Sequence, residues 1–176
     1  MAAPAVPIDV DAGTGAWTTD GMAMIYMPRH FFVGNHQAVE TALGAARHAE
    51  LLHEAGHAAA FTWCEEAARA GGLAGLDVFH HYLARLSQRG WGRFRALDVD
   101  TAAGRALVRV DHSVFVAESP EAGDGLCTLF AGWFAGALAW VDTQNGVQRA
   151  LTGRETQCAG AGAGHCLFEV APRDGP

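Results

Sequence analysis

A carboxylate and two thiols lie close together near the C-terminal end of the sequence. Glu155 precedes Cys158 by three residues, and Cys166 follows eight residues later, across the run AGAGAG at 159–164. Thiolates and a carboxylate can form the closed tetrahedral site of a structural zinc ion, with His165 as an additional nitrogen ligand. A glycine-rich turn can bring the second thiol back to the first. Two alternatives stay open: small buried cysteines beside a turn, or a redox-active disulfide.

A second candidate metal site is the segment HEAGH at 53–57. It matches H-E-x-x-H, in which two histidines one helical turn apart bind zinc and the glutamate activates a water molecule. The metzincin extension requires glycine at position 60 and histidine at 63, where the chain has Ala60 and Trp63. The other zinc-protease type requires a carboxylate from a following helix, and Asp77 is the closest candidate. A zinc hydrolase is therefore one hypothesis, and a helix with two half-buried histidines facing a pocket or a partner is the other.

Composition limits the classes of function. The 176 residues are half hydrophobic, which is enough for one domain with a core. The net charge is −7 and every basic side chain apart from histidine is arginine, so no nucleic-acid partner is predicted and Schiff-base or P-loop lysine chemistry is excluded. No apolar run reaches the roughly 20 residues of a membrane span, and the start does not resemble a secretory signal. We therefore expect a cytoplasmic protein without a membrane span.

Hydrophobic periodicity predicts the elements that position these residues. Helices are expected from about Val33 to Ala70, with Gly44 and Gly56 as possible breaks, from Leu76 to Gln88 and from Leu126 to Val141. A polar loop is expected at 120–125. Strands are predicted at 22–27, 94–99, 106–116, 147–158 and 166–170. The predicted organisation is a flexible leader at 1–19, then a strand and long helix at 20–75, which form one compact unit with a domain at 76–171.

Four sequence segments resemble the 4-vinyl reductase domain family. They are GWGRF at 90–94, DHSVFVAES at 111–119, GWFAGAL at 132–138 and, most specifically, E-x-x-C-x-x-x-G-x-x-x-C-x-F at 155–168. The family includes sensor domains of aromatic-responsive bacterial transcription activators and resembles, in fold, a small subunit of the transport-particle vesicle-tethering complex. The resemblance implies an α+β fold in which helices and an antiparallel sheet surround an apolar pocket, and it implies a homodimer.

The resemblance also implies a set of zinc ligands. In the aromatic sensors of this family, the ligands are a glutamate, two following cysteines and a third cysteine from the preceding helix. Glu155, Cys158 and Cys166 match three of these. The fourth position aligns with Ala131, and the nearest thiol is Cys127, one helical turn earlier and about 6 Å away along the axis. The predicted metal ligands are therefore Cys127, Glu155, Cys158 and Cys166.

Aromatic residues indicate where a small molecule would bind. An apolar pocket binds by burying ligand surface beside a few polar anchors. The predicted ligand-binding residues are Trp63, Trp91, His112, Trp133 and Phe134. A noncovalent tetrapyrrole with His53, His57 or Cys64 as axial ligand stays open. The main hypothesis is a sensor or carrier domain for a small apolar or aromatic molecule, and the alternative is an enzyme, either a reductase-like accessory protein of cofactor metabolism or a zinc hydrolase.

Overall fold

The structure, a computed structural model, describes residues 6–119 and 127–173. The polar loop predicted at 120–125 and the predicted helix start at Leu126 lie outside the described residues. The seven strands are β1 (Asp9–Val10), β2 (Trp17–Thr19), β3 (Met22–Met24), β4 (Arg93–Asp100), β5 (Arg105–Asp111), β6 (Leu151–Gln157) and β7 (Cys166–Pro172). The helices are α1 (Arg29–Leu43), α2 (Ala45–Gly71), α3 (Leu76–Gln88), α4 (Val114–Glu118) and α5 (Thr128–Gln144), with one 3₁₀ turn at Ala159–Ala161.

The main sheet has the order β4-β5-β7-β6, and all its pairs are antiparallel. The predicted α+β class with an antiparallel sheet is confirmed. The hairpin predicted between residues 94 and 116 forms as β4 and β5, but β5 ends at Asp111. The strand predicted to continue to Val116 is wrong there, because His112 takes a left-handed conformation with φ 57° and the chain enters α4. The N–H of Val114 then donates to the carbonyl of Trp91, 2.9 Å away.

The long predicted helix is two helices. α1 begins after Pro28 and ends at Leu43, and the following Gly44, whose φ of 81° suits glycine, redirects the chain into α2. Gly56, the other candidate break, lies within α2 without interrupting it. A Cβ at Gly56 would lie 2.9 Å from the carbonyl oxygen of Leu129, so this glycine allows α2 to approach α5 closely.

Helix α5 is the central element of the core. Every residue from Leu129 to Asp142 is buried, and glycine allows close packing on both sides of the helix. A Cβ at Gly132 or Gly136 would overlap the carbonyl oxygens of His53 or His57 on α2, and a Cβ at Gly153 on β6 would overlap that of Ala131. α5 is thus held between α2 and the edge of the sheet.

The strands β1, β2 and β3 form a separate three-stranded antiparallel sheet. β1 and β2 fall within the segment predicted to be a leader. Asp20, in the turn between β2 and β3, accepts a hydrogen bond from the Arg85 guanidinium of α3 at 2.8 Å and lies 3.7 Å from that of Arg89. This ion pair attaches the small sheet to the C-terminal part of α3.

Candidate metal centre and neighbouring clefts

Three segments bring the predicted metal ligands together. Cys127 immediately precedes α5, Glu155 lies on β6, Cys158 follows β6, and Cys166 begins β7. Because β6 and β7 are antiparallel neighbours joined by the glycine-rich turn, the end of one strand lies beside the start of the other. One ligand atom from each of the four residues lies within 4.8 Å of all the others, and the three cysteines are buried.

The donor set fits a structural zinc ion. Zinc–sulfur bonds of about 2.3 Å in a tetrahedron place the ligand atoms about 3.8 Å apart, so separations of up to 4.8 Å require only a small contraction. Three thiols and one carboxylate leave no position for a substrate or a water molecule, which is typical of structural sites. The four cysteines of the chain are free thiols in the structure, so none of them forms a disulfide.

Hydrogen bonds inside the cluster divide the thiols by acidity. A hydrogen bond from the Cys127 thiol, supported by the N–H of Ala159, lowers the pKa of Cys166. The same pairing with Cys166, together with burial, raises the pKa of Cys127, which also lies 3.2 Å from the hydroxyl of Ser113. Burial and then a hydrogen bond with Glu155 raise the pKa of Cys158 to about 12. Cys166 is therefore the thiol that ionises most readily.

The offset of one helical turn between Cys127 and Ala131 does not separate Cys127 from the cluster. Cys127 precedes the first helical residue, and its thiol reaches Cys166 and Ser113. Ala131 instead presents its backbone to Gly153, where glycine is required for close contact. The family resemblance aligned the fourth ligand with position 131, and the tertiary structure instead brings the thiol of Cys127, the nearest cysteine, to the other three groups.

The histidine motif occupies a different place. His53, Glu54 and His57 lie on α2, and the Nε2 atom of His53 accepts a hydrogen bond from the N–H of Gly153 on β6 at 3.1 Å. That contact occupies the lone pair that zinc would need. Within residues 6–119 and 127–173, no further histidine, cysteine or carboxylate joins His53 and His57 in a potential metal group. The arrangement gives the zinc-hydrolase hypothesis no support.

Two clefts flank the segment Gly90–Trp91–Gly92. The first, about 450 Å³, lies beneath residues 24–28 and is bordered by Trp91, Phe32 and Val114. The second, about 580 Å³, is more polar and is bordered by His112 and Arg93. Arg29 and Gly90 line both clefts, and the guanidinium of Arg29 donates to the Gly90 carbonyl at 2.7 Å. No motif in the sequence singled out Arg29.

The other predicted ligand-binding residues lie in packed surroundings. Trp133 meets Trp91 edge to face, with ring centroids 4.9 Å apart, and is 9% exposed. Phe134 is fully buried and contacts the rings of Phe94 and Phe168. Trp63 lies on α2 and is not among the residues that line either cleft. Its ring stacks on His81 and packs against Tyr82, and the guanidinium of Arg89 lies 5.6 Å from the ring centroid.

Two families match the chain. The family described as Domain of unknown function (DUF5943) matches residues 2–97, which is more than half of the chain. The chain belongs to this family. The 4-vinyl reductase domain matches residues 107–172, so the resemblance to that family is confirmed. The DUF5943 match covers the N-terminal sheet, α1 to α3 and the start of β4, while the second match includes β6, β7 and all four cluster residues. A comparison with curated proteins finds no match.

Solved structures share the fold of this DUF5943 protein. The phenol-responsive sensory domain of the transcription activator PoxR, determined with phenol, has a TM-score of 0.76 and 18% identity, covering 94% of this chain and 84% of that one. Trafficking protein particle complex subunit 3 from Naegleria fowleri, covalently bound to palmitic acid, gives 0.59 and 11%, with coverages of 83% and 95%. A vinyl-4-reductase family protein from Methanocaldococcus jannaschii gives 0.55 and 14%, with coverages of 86% and 85%.

Proposed function

We propose that this protein is the small-molecule-binding part of a sensor or carrier system, and that its ligand is an apolar or aromatic compound. The observation that carries the proposal is the 4-vinyl reductase domain fold together with the match over 94% of the chain to a sensory domain that responds to phenol. The clefts beside Trp91 add a physical basis, since a cleft lined by aromatic and aliphatic side chains with a few polar groups suits such a compound.

The ligand is proposed to bind beneath residues 24–28, against Trp91. Gly90 and Gly92 have φ of 88° and 156°, conformations that favour glycine, and so they hold the indole of Trp91 at the cleft wall. Phe32 meets Trp91 edge to face at 5.0 Å and forms the adjoining wall. Arg29 is the candidate polar anchor, and His112 borders the polar cleft on the other side of Gly90 and Gly92.

A zinc ion is proposed to be held by Cys127, Glu155, Cys158 and Cys166. Bound there, it would cross-link β6, β7 and the start of α5 and would neutralise acidic groups that are otherwise costly to bury. The chemistry it supplies is structural, because all four positions come from the protein. This role agrees with a binding domain and requires no catalytic step.

The remaining expectations about the protein are also proposals. A homodimer is supported by large apolar side chains at the surface beside the small sheet, among them Ile25, Tyr26 and Phe31, which are 77%, 86% and 57% exposed. No helix among the described residues is both long and apolar enough to cross a bilayer. A cytoplasmic location stays a proposal.

Titration with phenol tests the binding proposal. Binding is measured by calorimetry with wild-type protein, Trp91→Leu and Trp63→Leu, after circular dichroism has shown that each variant is folded. We expect Trp91→Leu to weaken binding about tenfold, while Trp63→Leu, which changes a side chain that lines neither cleft, leaves it within about twofold. Equal losses in both variants would contradict the assignment of the cleft. If the protein does not bind phenol, and if native mass spectra show no bound aromatic compound, the proposed function is overturned.

A further inference from the structure

A third cavity, of about 290 Å³, lies between α1, α2 and α4. We propose that it is a second small-molecule site, for a neutral compound with an apolar body the size of one aromatic ring and one hydrogen-bonding group. One of its residues, Phe115, belongs to the segment DHSVFVAES, and none of them lines the clefts beside Trp91. An apolar protein cavity of about 150 Å³ already accepts benzene, so the volume here suffices for a substituted ring.

Small side chains create the space. Ala45, Ala46 and Ala49 line the cavity from the first turns of α2, just after the bend at Gly44 separates that helix from α1. Opposite them lie larger apolar groups, including Leu52 and Phe115. The walls therefore offer dispersion contacts to a flat apolar ligand from more than one side.

The polar side chains of the cavity wall include two histidines. The rings of His36 and His48 have centroids 5.9 Å apart, and His48 is 7% exposed. The Nδ1 atom of His36 lies 3.2 Å from the carbonyl oxygen of Phe32 and donates to it. Burial lowers the pKa of His36, which favours the neutral ring at pH 7.5. The Nε2 atom of His36 is buried and has no hydrogen-bond partner among the described residues, so it remains to accept a hydrogen bond from a ligand hydroxyl or N–H group.

The charge of the lining selects against anions. Glu40 is a cavity residue, and no arginine occurs among the residues that line this cavity, whereas Arg29 borders both clefts beside Trp91. A carboxylate ligand would have to leave water without a cationic partner, which is costly. A neutral compound with a hydroxyl group avoids that penalty.

The cavity is separate from the cleft beside Trp91, although the two are neighbours. Phe32 lines that cleft and contacts Trp91, while its ring centroid lies 4.2 Å from that of His36, which lines the cavity. Phe115 also lines the cavity, and the centroid of its ring lies 5.9 Å from that of Phe32. These rings form the partition, so the two sites can be distinguished by nearby methyl groups: Val33 and Leu52 for the cavity, Val114 for the cleft.

Methyl NMR titrations with phenol, toluene and benzoate at pH 7.5 test the inference. The three probes share one ring and differ in having a neutral hydroxyl group, no polar group or a negative charge. We expect phenol to shift the signals of Val33 and Leu52, toluene to bind about fivefold more weakly, and benzoate to bind at least tenfold more weakly. The inference would be overturned if benzoate bound as tightly as phenol. It would also be overturned if none of the three probes shifted the signals of Val33 and Leu52.

Two variants on α2 provide the matched pair. Ala49→Phe fills the cavity and is expected to weaken phenol binding there at least tenfold, while Ala58→Phe places the same ring on the exposed face of the helix and leaves it unchanged. His36→Leu removes the unpartnered Nε2 atom and is expected to weaken phenol binding about fivefold while leaving toluene binding within about twofold. Equal effects of both phenylalanine variants would overturn the site, and an unchanged phenol affinity in His36→Leu would overturn the proposed hydrogen bond. Shifts confined to Val114 would refute the cavity and retain the cleft of the proposed function.

Discussion

The Nε2 atom of His53 accepts a hydrogen bond from the backbone N–H of Gly153, 3.1 Å away. β6 is an edge strand of the main sheet, so this N–H points away from β7 and would otherwise lack a strand partner. The histidine of the HEAGH segment therefore joins α2 to the sheet edge. An accepting Nε2 requires a neutral ring, and burial, with smaller contributions from His57 and Arg173, lowers the pKa of His53.

We predict that acid weakens the fold between about pH 7 and pH 5. His36, His53, His57 and His81 all have pKa values below 6.5 in the folded protein, with burial as the main cause. Below pH 6.5 the unfolded chain binds protons that the folded chain does not, so the free energy of unfolding falls as the pH falls from about 7 to 5. Above about pH 7 these histidines are neutral in both states, and the protein keeps its full stability. Urea unfolding at pH 7.5 and 5.5, with a chelator to remove metal effects, measures the change.

The variant His53→Gln provides the control for this prediction. Its amide oxygen can accept the Gly153 hydrogen bond and does not titrate, so the dependence of stability on pH should become shallower. A free energy of unfolding that is equal or higher at pH 5.5 in the wild type would contradict the prediction.

Close packing between α2 and α5 predicts a large effect of adding one methyl group. Gly132→Ala and Gly136→Ala would place Cβ against the backbone carbonyls of His53 and His57, where neither helix can move without disturbing the core. We expect each to destabilise the protein by about 3 kcal/mol or more in urea unfolding. Gly34→Ala, on α1 with nothing within 4 Å of the added Cβ, should instead stabilise by roughly 0.5–1 kcal/mol. Similar effects at the three positions would refute the close approach.

Asp142 is a buried carboxylate that depends on one arginine. It is 1% exposed, and Arg149 donates to both of its oxygens at 2.8 and 2.9 Å while also donating to the carbonyls of Thr101 and Ala102. Arg149→Met leaves this carboxylate unpaired and disconnects the β4–β5 turn from the end of α5. We expect the midpoint of thermal unfolding to fall by roughly 10 °C.

The exposed pair Arg154 and Glu169 offers a matched comparison, with side chains 73% and 45% exposed. Arg154→Met should lower the midpoint by no more than about 2 °C. The double variant Asp142→Leu with Arg149→Met should recover part of the loss, because no buried charge remains. If the two single arginine variants behave alike, the buried pair has no special role.

Metal analysis tests the four-residue centre. We expect one zinc ion per chain in the wild type, and loss of most of it in Cys127→Ser, Cys158→Ser and Cys166→Ser, because each removes a thiolate ligand. Cys64→Ser is the control, since this thiol is buried in the core outside the cluster and burial raises its pKa. His57→Ala should also retain zinc. A metal-free wild type, or loss of zinc only in His57→Ala, would contradict the assignment.

The alternation and periodicity of the sequence were sufficient for most elements of the fold. The amphipathic pattern predicted α3 within 76–88, and the hairpin signature predicted β4 and β5. The pattern failed at His112, because it predicted that the strand would continue to Val116. Valines alternate on both sides of His112, but hydrophobicity carries no information about the left-handed φ of that residue. The role of Gly56 was ambiguous for a related reason, because glycine is common both where a helix ends and where two helices pack closely. Only the position of Leu129 on α5 shows that Gly56 has the second role.

The candidate site, too, could be predicted only in part from the sequence. The short spacing from Glu155 through Cys158 to Cys166 was sufficient to predict a local cluster and the family, because a strand, a turn and a strand are adjacent by connectivity. Cys127 could be named as the fourth ligand only through the family resemblance, which aligned that ligand with Ala131, and the tertiary contact between the start of α5 and the β6–β7 turn is what brings its thiol to the others. The residues of the cavity beside His36 and His48 also come from separate helices, and no local pattern records that convergence. Residue types and short spacings thus determined the chemistry available to the chain, while packing between distant segments decided which groups meet, because contacts remote in sequence depend on how all the elements fill the core together.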